Sequence, residues 1–176
     1  MSNVLIGIIG VILFIGVALA GALFLGDRFS MAANSSKAST MIQQLQQAAN
    51  AASLYEVHTG SPINAGAVDT SPIMSRYLKT APQVLVDTGG GAYFYDAAGE
   101  GITGGKAVLV GMVLKNGKVD REICEAVQRH TGQIGTADPF DGTARPKADV
   151  PALGFKAGCM NIGVGGEPRF LVFYGV

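Results

Sequence analysis

Val4 to Leu25 reads VLIGIIGVILFIGVALAGALFL, without one charged side chain. At about 1.5 Å per residue, a helix of this stretch is roughly 33 Å long, enough to cross a bilayer core of about 30 Å. Asp27 and Arg28 follow at once and mark the return to water. Such a segment needs an apolar medium. Lipid is one. The dry core of a filament, where many copies of the helix pack together, is another. A cleaved signal peptide fits less well: no Lys or Arg precedes the run, and the run exceeds a typical h-region of about 7–15 residues. Ala18-Leu19-Ala20 has the form of a cleavage site, yet apolar residues continue past it.

The chain has 176 residues and a formal net charge of +0, with 13 basic and 13 acidic side chains. About 150 residues remain beyond the apolar run, a normal size for one domain. Neutrality and the absence of a basic run argue against a general nucleic-acid binder. Cys124 and Cys159 both lie beyond the apolar run. If that part is exported, an oxidising compartment favours a bridge between them; two buried free thiols are the alternative.

The helix is expected to run on past the apolar segment. Ala38, Met41, Ile42, Leu45, Ala48, Ala49, Ala52 and Tyr55 recur with the i, i+3, i+4, i+7 spacing of one buried face. Thr59-Gly60-Ser61-Pro62 should end it, with Gly60 as a left-handed cap and Pro62 barring continuation. The expected organisation is residues 1–57 as one long helix and 58–176 as a globular head. Within the helix, 1–26 form a membrane or filament-core segment and 27–57 an amphipathic half. The first half cannot be swallowed by so small a domain and must protrude.

A short helix is expected over Ser71–Lys79, with Ser71 as N-cap and Pro72 at the first helical position. Strands are expected at Val84–Val86, Tyr93–Tyr95, Lys106–Leu114, Cys159–Val164 and Arg169–Tyr174. The turns are Gly89-Gly90-Gly91, Asn116-Gly117 and Gly165-Gly166. A helix should start at Asp120, bury Ile123, Cys124 and Val127, and end near Gly132. Gln133 to Ala157 reads as a long surface loop. The expected fold class is therefore α+β: a long helix covering a mostly antiparallel sheet, with short helices inserted.

No catalytic constellation is apparent. His58 and His130 lack metal-ligand spacing and read as surface or helix-end residues. Gly101 to Ala107 approaches a phosphate loop, but Glu100 replaces the first Gly and Ala107 the Ser or Thr that would hold magnesium. Asp138 and Asp141 read as turn residues. Asp120, Arg121, Glu122, Glu125 and Arg129 read as a solvated helix face. No enzyme activity, cofactor, metal, nucleic acid or small-molecule ligand is expected.

The uncharged N-terminal helix, the run-on SKASTMIQQLQQAANAASLYEVHTG, the following sheet and the C-terminal cysteine pair resemble a type IV pilin. The helix carrying Cys124 after KAVLVGMVL is more similar to the type IVb and conjugation-associated branch. Two features depart from the pattern: Leu5 stands where mature pilins usually carry Glu, and no Pro interrupts the apolar half. The resemblance implies a Cys124–Cys159 pair bracketing a loop that ends in the last strands. It also implies an assembly helix through Val4, Leu5, Ile6, Gly7, Ile8, Ile9, Gly10, Val11, Ile12, Leu13, Phe14 and Ile15. The implied partners are copies of the same chain, the inner membrane before assembly and a pilus assembly machinery. The implied final location is the cell surface. The alternatives are a non-polymerising single-pass membrane protein with a periplasmic binding domain, or a pseudopilin or minor pilin.

Overall fold

The structure is a computed structural model and describes residues 2–74, 76–83, 91–96, 106–115, 118–132, 156–163 and 169–176. The strand expected at Val84–Val86, the turns at Gly89-Gly90-Gly91, Asn116-Gly117 and Gly165-Gly166, most of the 133–157 loop, and Asp138 and Asp141 lie outside the described residues, apart from Gly91. So does the 101–105 part of the loop that approaches a phosphate-binding pattern.

The first element, α1, is one helix over Ser2–Thr59. Its end follows from local chemistry. Gly60 takes φ +70° and donates its N–H to the Glu56 carbonyl at 2.8 Å. A residue with a Cβ is strained there, so glycine closes the helix. The chain falls into two units, Met1–Asn34 and Ser35–Val176. The second unit therefore includes α1 from Ser35 onward, which is most of the expected amphipathic half, as well as everything after it; residues 27–34 fall in the first unit.

Within that second unit, Ala38, Met41, Leu45, Ala48, Ala49 and Ala52 are buried, at the positions their spacing predicts. They join one core cluster with residues of a five-stranded sheet. The strands are β1 (Gly66–Ala67), β2 (Ala92–Tyr95), β3 (Leu109–Lys115), β4 (Ala157–Asn161) and β5 (Arg169–Gly175). Their spatial order is β1-β2-β3-β5-β4, and every neighbouring pair is antiparallel. A helix, α2 (Lys118–Thr131), follows β3. The α+β class is as expected.

Side chains alternate between the two faces, as the two-residue strand period requires. Phe94, Val110, Met112, Leu114, Cys159, Phe170 and Val172 enter the cluster shared with α1 and with Ile123, Cys124, Ala126 and Val127 of α2. Tyr95, Leu109, Met160, Leu171 and Phe173 form a second buried cluster with Ile162. Gly111 belongs to this second side of β3. A Cβ placed on it would lie 2.8 Å from Leu171 Cδ1 and 3.0 Å from the Val172 carbonyl oxygen. The absence of a side chain there is what lets Leu171 seat.

The expected helix over Ser71–Lys79 is not present. Its described residues form turns, with Met74 N donating to Ser71 O and both Tyr77 N and Leu78 N donating to Ile73 O. The Ser71 hydroxyl donates to the Val68 carbonyl at 2.8 Å instead of capping the residues after it. A helix of so few residues has little propagation to offset its nucleation cost, whereas burial of Ile73 holds the turns.

Two boundaries also move. β3 begins at Leu109, because Ala107 N donates to Ile63 O and Lys106 bridges Asn64. β4 spans Ala157–Asn161, not 159–164; past it, the Asn161 side chain accepts from Gly163 N and turns the backbone. α2 starts two residues before Asp120 and ends at Thr131, with Gly132 at φ +72°. β1, with two residues, is too short to carry an alternating pattern in the sequence.

Candidate functional site

The apolar segment is helical, and its side chains are exposed on every side. Val11, Ile12, Leu13, Phe14 and Ile15 are 59, 63, 64, 75 and 51% exposed. At about 100° per residue, five successive positions sweep more than a full turn. Ile6, Ile8 and Ile9 are exposed too, as are Val17, Leu19 and Leu23 further along. Gly7 and Gly10 lie among them, and a Cβ at either would meet nothing within 4 Å. Val4 and Leu5 are helical, but their side chains lie outside the described residues. A soluble monomer rarely shows a continuous apolar surface of this extent. The helix is long and apolar enough to cross a membrane, and it lies near the N-terminus.

The two cysteines are joined. Cys124 on α2 and Cys159 on β4 form a disulfide between Cα atoms 5.4 Å apart, and both are fully buried. The bridge closes a separation of 35 residues. In the chain-entropy model, a loop of that length stabilises by about 3–4 kcal/mol. One turn along α2 from Cys124, the Gln128 side chain donates from Nε2 to the Cys159 carbonyl at 3.0 Å. Gln128 is itself buried. Its position on the disulfide-bearing face at i+4 is visible in the sequence; that its amide meets a strand carbonyl is not.

The histidines do not converge. His58 Nδ1 lies 3.0 Å from the Tyr77 hydroxyl, with Tyr55 set edge-on against the Tyr77 ring. His130 Nε2 lies 3.0 Å from Ser35 Oγ. Among the described residues, no group of three or more His, Cys, Asp or Glu side chains is placed to hold a metal ion. A cavity of about 220 Å³ is lined by Gln44, Gln47, Leu78, Thr80, Ala81, Pro82 and Gln83, none of them ionisable. It is smaller than the usual ligand pocket of about 300–1,000 Å³. Gln44 Oε1 is already engaged there by the Gln83 N–H at 3.0 Å.

Of the charged run on α2, Asp120 does not lie on the solvated face expected for it. It is 3% exposed. Burial pushes its carboxyl above the usual range, and the charge of Lys37 partly opposes that shift. Arg121 and Glu125, an exposed i, i+4 pair at 3.5 Å, do lie on the solvated face. Among the described residues, Tyr95 is also displaced. Burial first, and then Tyr93, push its phenol up to about 12.

The apolar part of α1 thus exposes its side chains, while among the described residues no buried side-chain nitrogen or oxygen lacks a hydrogen-bond partner. Comparison with protein-family models, with curated proteins and with solved structures finds no match to this chain.

Proposed function

We propose that this chain is the structural subunit of an extracellular filament of the type IV pilin kind, assembled through Val4–Leu25. The observation that carries the reading is the unbroken exposure of Val11 to Ile15 around the whole helix. A helix apolar on all sides needs neighbours on all sides, and copies of itself supply them. Before assembly the same surface is held by the inner membrane, with the Ser35–Val176 unit outside it. An oxidising exterior agrees with the Cys124–Cys159 bridge. Burying about 400 Å² of apolar surface per neighbour contributes on the order of 10 kcal/mol before ordering costs. Gly7, Gly10, Ala18, Ala20, Gly21 and Ala22 allow helix backbones close approach. Binding and assembly, not catalysis, are the chemistry this surface offers.

Ile9→Asp tests the reading. The expected result is loss of the chain from the sheared surface fraction, with no filaments in negatively stained cells, while the disulfide-bonded unit still folds. Normal filament yield from this variant would overturn it. A second reading is favoured by one observation, Leu5 at the position where mature pilins carry Glu. In it the helix anchors a non-polymerising single-pass protein, a pseudopilin or a minor pilin. Wild-type cells without filaments, and a full-length chain monomeric in mild detergent, would establish that reading in place of the first.

A further inference from the structure

The cavity of about 220 Å³ takes no part in the assembly reading. It lies wholly within the Ser35–Val176 unit. α1 contributes Gln44 and Gln47 to its lining, and the segment after Ile73 contributes Leu78, Thr80, Pro82 and Gln83. Gln44 and Gln47 are three residues apart, so their amides stand on one face of the helix, a turn from each other.

The lining is held by the fold itself. The Gln83 N–H donates to the Gln44 side chain at 3.0 Å. Only the oxygen of an amide can accept that bond, so it fixes which end of the Gln44 amide is which and leaves Nε2 as a donor. The opposite segment is stiff. Leu78 N donates to Ile73 O at 3.0 Å, and the Leu78 side chain packs against the main core. Pro82 is buried, with its φ locked by the ring. Gln83 also bridges Gly91.

None of the lining residues is ionisable, so an ion finds no opposite charge there. A primary amide both donates and accepts, and so does a hydroxyl. Three amides and the Thr80 hydroxyl therefore match a neutral partner that does both at several neighbouring atoms. Leu78, Ala81 and Pro82 add apolar surface to the same lining. A pyranose combines these demands: a rim of hydroxyls around faces of C–H groups. The volume is below that of sites for drug-sized molecules and suits a single ring. We propose that this cavity binds one neutral sugar ring, with Gln44 Nε2 and the Gln47 amide bonding its hydroxyls. No aromatic ring lines the cavity for stacking, so the affinity is weak, with Kd on the order of 1–10 mM. The site works whether or not the chain forms filaments.

The test titrates the full-length, isotope-labelled chain with D-glucose, D-galactose, D-mannose and N-acetyl-D-glucosamine, in a detergent without a sugar headgroup. The readout is the side-chain amide signals of Gln44 and Gln47 in nuclear magnetic resonance spectra. At least one of the four sugars should shift both signals to saturation. Gln47 is exposed, so Gln47→Met should keep the fold. It should weaken that binding about tenfold, the factor that corresponds to one lost neutral hydrogen bond. The inference is overturned if none of the four sugars saturates the signals, or if Gln47→Met binds as the wild type does. It is also overturned if open-chain mannitol or triglycine saturates them equally well, because a sugar ring would then not be what the cavity recognises. Should Gln47→Met fail to accumulate, the same loss is read from Thr80→Val, which removes the hydroxyl at nearly constant volume.

Discussion

Leu13 and Leu45 sit on the same helix, 64% exposed and fully buried respectively. Their local conformation is the same; their surroundings are not. Around Leu45 the apolar positions fall on one stripe, and a sheet of the same chain covers that stripe. Around Leu13 every position is apolar, and no stripe could be covered without leaving the rest exposed. The first region has its solvent built in. The second must find one in lipid or in other copies, and that requirement is the basis of the filament proposal.

The contrast breaks most sharply under charge. Leu45→Asp buries an uncompensated carboxylate and should unfold the Ser35–Val176 unit, a loss above about 4 kcal/mol. Leu13→Asp should leave the melting temperature of that unit unchanged in detergent while removing filaments. Equal melting losses from both would erase the distinction. Next in size, Cys124→Ala/Cys159→Ala should cost the Ser35–Val176 unit about 3–4 kcal/mol in denaturant titration, with no change in the helicity of the apolar segment by circular dichroism.

Alkali should also act on one region alone, since Ile6 to Gly26 contains no ionisable side chain. The Tyr95 phenol has a folded pKa of about 12 against an ordinary 10.0. Because the folded value is raised, the neutral phenol's contribution is complete below pH 10 and is lost as pH rises through about 12. The full loss is on the order of 2–3 kcal/mol. Tyr95→Phe should flatten stability across that window, checked by urea titration at pH 9 and pH 12. The smallest effect separates the glycines of the two regions. Gly111→Ala forces Leu171 and the Val172 backbone apart and should destabilise by about 1–2 kcal/mol. Gly16→Ala meets nothing within 4 Å and should leave stability unchanged or slightly raise helicity. Thermal melts of the two variants side by side decide it.

The sequence alone determined what depends on near neighbours in the chain. The span of α1, its end at Gly60, the buried stripe from Ala38 to Ala52 and the helix ending at Gly132 are all written in periodicity and capping, interactions that reach four residues or fewer. Tertiary structure alone decided what depends on distant partners. It placed β5 between β3 and β4, because strand order is a choice among pairings that local pattern leaves equivalent. It turned Ser71–Lys79 into turns, because burial of Ile73 outweighs the weak propensity of a short helix. It brought Gln128 to the carbonyl of Cys159 and buried Asp120, because a polar side chain's partner 31 residues away leaves no trace in its own neighbourhood. The apolar segment stands apart from both groups: its helix is legible in the sequence, and its solvent lies outside the fold of one chain.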